Sequence, residues 1–127
     1  MADFKKLAVW QKARELTVAA IRACEDISGA TGALVRAQLV RAIMSVPANI
    51  AEGSAKQSDR EFARFIRISL GSATEAESHL IIASDLELID QSDFVSLNSL
   101  IEDVRKMLTG LSKRLTSDAN EKVGKRR

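Results

Sequence analysis

Apolar positions along this chain recur at steps of three and four, and four separate segments carry that rhythm. From Leu7 to about Ile27 the series is Leu7, Trp10, Ala13, Leu16, Ala20, Cys24 and Ile27. This is one face of an amphipathic helix, with Lys12, Arg14, Glu15 and Arg22 on other faces. Ser28-Gly29-Ala30-Thr31-Gly32 reads as a loop in which Gly29 or Gly32 stops the helix. A second helix starts near Ala33 and buries Leu39, Ile43, Val46 and Ile50. Pro47 falls inside this run, where a proline removes one hydrogen bond and costs about 3 kcal/mol. Either the helix ends at Val46 or it continues with a kink. Continuation is favoured, because the apolar period passes through Pro47 unbroken; Gly53 is then the expected stop.

The third helix has a start signal in Ser58-Asp59-Arg60-Glu61, a capping box in which the serine oxygen accepts from the Glu61 amide and Glu61 reaches back. Phe62, Phe65, Ile66, Ser69, Ala73, Ala76 and Leu80 follow on one side, and the helix is expected to run to about Ser84. Gly71 sits near its middle, where glycine costs about 1 kcal/mol relative to alanine. A neighbouring backbone approaching closely at Gly71 is the expected compensation. The fourth helix, with Ser92 as its expected cap, carries Phe94, Leu97, Ile101, Val104, Leu108, Leu111 and Leu115, a seam of three heptads. Four helices joined by short loops, each with one apolar stripe, bury those stripes only against one another. The expected fold is therefore all-α, an up-down-up-down four-helix bundle with a Pro-kinked second helix. Residues 1–117 would form the bundle and residues 118–127 a basic, flexible tail.

Composition supports this. The 127 residues suffice for one domain with a real core. One proline and six glycines are too few for the many tight turns of an all-β chain. A single cysteine, Cys24, allows no internal disulfide and suits a reducing cytoplasm. The N-terminal residues carry charges where a signal peptide needs an apolar run, and no segment is apolar enough to span a membrane. The net charge of +2 hides an uneven distribution. Residues 1–67 carry +4, residues 68–104 carry eight acids and no base, and residues 105–127 carry +6. Such asymmetry bears on partners rather than on fold.

Polar side chains on the second helix form a stripe of their own: Gln38, Arg41, Ser45, Asn49 and Glu52, at steps of three, four, four and three. It reads either as a solvated face or Arg–Glu network tying the second helix to the third, with Glu75 as a candidate partner, or as a ligand contact. The structural reading is preferred, because buried polar networks more often serve packing than chemistry.

The segments LAVWQKARELT and QLVRAIMSVPANIAEGSAKQSDREFARFIRISLGSATE, taken together, resemble a known family. It is that of the bacterial four-helix-bundle proteins related to those encoded by intervening sequences in large-subunit ribosomal RNA genes. The matching positions are Trp10, Gln38, Arg41, Ser45, Pro47, Asn49 to Gly53, Glu61, Phe62, Phe65, Gly71 to Ala73 and Glu75, within a resemblance over about residues 4–115. The first loop, SGATGALV, lacks the Phe, Pro and Tyr common there, and the basic tail lies outside the shared pattern. The resemblance implies a cytosolic homo-oligomeric ring, a pentamer. The architecture is also similar to the accessory protein of diversity-generating retroelements, which binds nucleic acid and a reverse transcriptase.

Three functional readings follow. In the first, Lys56, Arg60, Arg64 and Arg67, at steps of four, four and three, form a basic stripe that contacts RNA or DNA phosphates, with Arg41 as a further contact. Phe62 and Phe65 fall on the buried side of that helix, so base stacking beside the stripe is not expected. In the second, the chain is a protein-interaction scaffold whose acidic 68–104 block meets a basic face. The third, an enzyme, lacks parts. His79 is the only histidine, and Ala76 stands three residues before it, where a bundle di-iron motif needs glutamate. No phosphate loop, Ser-His-Asp set or zinc spacing is present, so no catalytic residue, metal or cofactor is expected.

Overall fold

A computed structural model describes residues 3–126 and contains four α-helices after one 3-10 turn, Phe4–Lys6. They are α1 (Ala8–Ala23), α2 (Ala30–Ser54), α3 (Asp59–Asp85) and α4 (Gln91–Arg126). Among the described residues α1 packs on α2 and α4, α2 on α3, and α3 on α4, while the diagonal pairs do not meet. That is the square of an antiparallel bundle. Leu16, Leu39, Ile43, Ile50, Ile66, Leu80, Leu97, Ile101 and Leu108 are fully buried along its axis. Each such side chain contributes about 1.5–3 kcal/mol of burial.

Helix ends follow local chemistry, and several differ from the sequence reading. Ser58 Oγ accepts from the Glu61 amide at 3.1 Å, as a capping box requires. The Glu61 carboxylate turns instead to Arg64, 3.4 Å away. Asp90, not Ser92, caps α4, its carboxylate accepting from the Asp93 amide at 2.8 Å. α1 ends at Ala23, before either loop glycine. Gly29 stands at the N-terminus of α2 with φ +83°, and Gly32 lies inside α2 against Ile27 and Leu88.

α2 passes through Pro47 without a break. Gly53 does not stop it but occupies its last turn, where a β-carbon would stand 2.7 Å from Phe65 Cβ. The close approach expected at Gly71 is therefore made at Gly53. Gly71 is exposed, with nothing within 4 Å of where its β-carbon would lie. α3 ends in a left-handed residue, Glu87 at φ +58°, with Leu88 N–H donating to Ala83 O and Glu87 N–H to Ser84 O. This is a Schellman pattern, with glutamate where glycine is usual.

α4 continues past Leu115, so the segment expected as a separate tail is helical through Arg126. Lys122 Nζ, in that extension, reaches Asp59 Oδ2 at 2.9 Å. Arg127 and the side chains of Lys125 and Arg126, all assigned to the basic tail, lie outside the described residues.

Candidate nucleic-acid interface

The antiparallel order brings the start of α1, the turn between α2 and α3, and the end of α4 to one end of the bundle. Lys56 projects from that turn, and Arg60, Arg64 and Arg67 from the first turns of α3. Two of these four cations pack on an aromatic ring. Arg64 stacks over Phe65 at 4.7 Å from the ring centre, and Lys56 stands 5.2 Å from it. Such contacts are worth about 0.5–1 kcal/mol at exposed sites and hold the charges in place without neutralising them. Arg60 and Arg67 are exposed, and among the described residues no acid pairs with either. A cleft of about 310 Å³ lies beside Arg60, lined by Gln57, Ser58, Asp59, Ala119, Lys122 and Val123. Phe65 itself is buried, as its place in the apolar seam suggested, so the ring serves the cations and not a stacked base.

Arg41 does not join this group. It sits on α2 thirteen residues before the helix ends at Ser54, about 20 Å along the axis from the turn that carries Lys56, at 1.5 Å per residue. There it lines a different groove, between α1 and α2.

The polar stripe on α2 divides. Asn49 Nδ2 donates to Ser45 O at 2.8 Å and lies 3.0 Å from Ser45 Oγ, which in turn meets Ser72 Oγ of α3 at 2.9 Å. Asn49 therefore supports a bond that crosses between the two helices. Gln38, Arg41 and Glu52 stay exposed. Glu75 is directed to His79, 3.5 Å away on its own helix, so the Arg–Glu link between helices is not formed. The more deeply buried crossing bond is one the stripe did not contain. Ser69, fully buried, donates to Val46 O at 3.0 Å. Its signal in the sequence was a lone hydroxyl in the apolar seam of α3.

The acidic block is also partly spent within the chain. Glu77 Oε2 lies 3.1 Å from Arg105 Nη1, and Asp103 Oδ2 lies 3.8 Å from Lys12 Nζ. Asp85, Glu87, Asp90 and Asp93 gather with Glu25 and Asp26 at the opposite end of the bundle from Lys56 and Arg60. Among the described residues no group of three metal-ligating side chains converges, and no helix is long and apolar enough to cross a membrane. Cys24 is buried; desolvation raises its thiol pKa, the positive charge of Arg36 opposing and Asp93 adding to the shift.

Fold and surface together define a small helical-bundle protein whose buried polar groups serve packing and whose charge is separated between its two ends. The chain belongs to the 23S rRNA-intervening sequence protein family, whose family model matches residues 5–110. It is also similar to a crystallised protein of unknown function from the S23 ribosomal protein family of Bacteroides thetaiotaomicron. The two share 25% identity at a TM-score of 0.75, over 84% of this chain and 99% of that one. A search among proteins of curated function gives no match.

Proposed function

We propose that this protein is a non-enzymatic, ring-forming bundle of the cytoplasm that binds nucleic acid, RNA foremost, through phosphate contacts on its basic end. The observation that carries this reading is the pair Arg60 and Arg67, exposed guanidinium groups without an acidic partner among the described residues, flanked by Lys56 and Arg64 held on Phe65. Guanidinium groups suit phosphate because their planar fork of donors binds two oxygens at once. One copy presents few such contacts. Repetition around a ring, five copies by the family resemblance, would raise a weak contact by avidity.

Electrophoretic mobility of RNA and DNA across a salt series tests this. The affinity should fall with salt by a slope of about 0.7–0.9 per phosphate neutralised, with little dependence on sequence. Arg60→Gln and Arg67→Gln should each reduce that slope by roughly one contact. No shift at about 50 mM salt, where phosphate contacts are strong, would refute nucleic-acid binding. A solution mass equal to one chain at micromolar concentration would refute the ring.

A second reading, a protein-interaction scaffold without nucleic acid, is favoured by the carboxylates at the opposite end. Glu25, Asp26, Asp85, Glu87 and Asp90 are all exposed there, a surface that would orient a basic partner.

A further inference from the structure

Two helices carry a second stripe that faces away from the core. On α2, Ala37, Val40, Met44, Ala48 and Ala51 recur at steps of three, four, four and three, uncharged throughout and largely exposed. Its first three members, Ala37, Val40 and Met44, border with Ile21 of α1 a groove of about 650 Å³ that Arg36, Arg41 and Glu25 also line. On α3, Ile68, Gly71, Glu75, Ser78 and Ile82 recur at steps of three, four, three and four on the side opposite the core, all exposed. A helix with an apolar stripe beyond the one its own core uses has a surface to bury elsewhere.

We propose that the α3 ridge of one copy docks into the α1–α2 groove of a second copy. This inference rests on the ring reading above and assigns its faces. Shape favours the pairing: the groove is apolar between its charged residues, lined by Ile21, Cys24, Ala37, Val40 and Met44, and the ridge carries two isoleucines set seven residues to either side of Glu75. Gly71 on the ridge has open space around it and lets a facing helix come close. Charge selects the same pairing over the two symmetric ones. Groove against groove opposes two surfaces of net positive charge, each with Arg36 and Arg41 against one Glu25, and ridge against ridge sets Glu75 against Glu75. Ridge in groove places Glu75 among arginines, where complementary charge fixes register and suppresses wrong partners. A contact that uses different patches on its two sides is heterologous, and it closes into a ring when its rotation allows.

Solution mass by light scattering tests the assignment, with Met44→Glu in the groove and Ile82→Glu on the ridge. Both positions are exposed, at 51% and 45%, so the helical circular-dichroism signal should stay unchanged in each variant. Wild type should run at a multiple of 13.9 kDa and each variant alone at the mass of one chain. A mixture of the two variants should then return to twice that mass, because the groove of one and the ridge of the other are intact. Ile82→Glu assembling alone would overturn the proposal in favour of groove-to-groove or other contacts. Met44→Glu assembling like wild type, or a mixture that stays at one chain, would overturn it as well. Wild type multimeric while both variants match it removes only this assignment; wild type at one chain removes the ring with it. The mobility assay answers separately for nucleic acid.

Discussion

Gly53 of α2 and Phe65 of α3 stand so close that a β-carbon added at Gly53 would lie 2.7 Å from Phe65 Cβ and 3.0 Å from Phe62 Cδ1. The α2–α3 junction is built on that approach. It also fixes Phe65, the ring on which Lys56 and Arg64 rest. Packing at Gly53 and the basic end are thus coupled through one aromatic side chain.

Gly53→Ala should therefore destabilise the fold, although alanine is the better helix former by about 1 kcal/mol. The obstructing atom is a β-carbon held by backbone, which cannot swing aside. A loss of about 1–3 kcal/mol is expected, as for other overpacked sites. Urea unfolding measures it, and an unchanged midpoint would contradict the close approach. Gly71→Ala, where nothing of the same chain lies within 4 Å, should instead raise the stability of the single chain by up to about 1 kcal/mol.

Ser69→Ala removes the buried donor to Val46 O and should cost about 1 kcal/mol, the net worth of a typical hydrogen bond. Ser72→Ala removes a half-buried bond to Ser45 that water can replace, and should cost less. The order of the two midpoints is the check.

Glu87 holds a left-handed conformation that glycine adopts without penalty. Glu87→Gly should stabilise the chain by roughly 0.5–1 kcal/mol, the relief of backbone strain exceeding the added freedom of the unfolded chain. A fall in thermal midpoint would mean that the glutamate makes up for its backbone in some other way.

Cys24 gives a pH dependence of known sign. Its thiol pKa is raised above its ordinary value, chiefly by burial. The folded chain keeps that proton at a pH where the unfolded chain has released it. The resulting stability is complete below the unfolded pKa, about 8.5, and is lost as pH rises from there toward the raised folded value. Cys24→Ala should flatten that alkaline decline in denaturant midpoint relative to wild type. Alkylation of the thiol should be slow in the native protein and fast in urea.

The candidate interface was only partly legible in the sequence. Lys56, Arg60, Arg64 and Arg67 were readable as a group because a helix repeats every 3.6 residues and the four share one short stretch. Arg41 was grouped with them by chemistry, and the structure sets it apart, since where a residue falls along a bundle depends on antiparallel alignment. Glu75 shows the same limit. It was a candidate partner for an Arg–Glu link between α2 and α3, but the nearer partner is His79, one turn away on its own helix.

By itself the sequence determined the four helices, the Ser58 cap, the apolar seams and the bundle, because periodicity and capping act over a few neighbouring residues. Tertiary structure alone decided which glycine serves a close approach, Gly53 and not Gly71, and which hydroxyls cross between helices, Ser69 to Val46 and Ser45 to Ser72. It also decided that α4 continues beyond its last seam leucine to bring Lys122 to Asp59. These depend on the distance and rotation of one helix against another. Many side chains far apart in sequence set those jointly, and no local pattern encodes them.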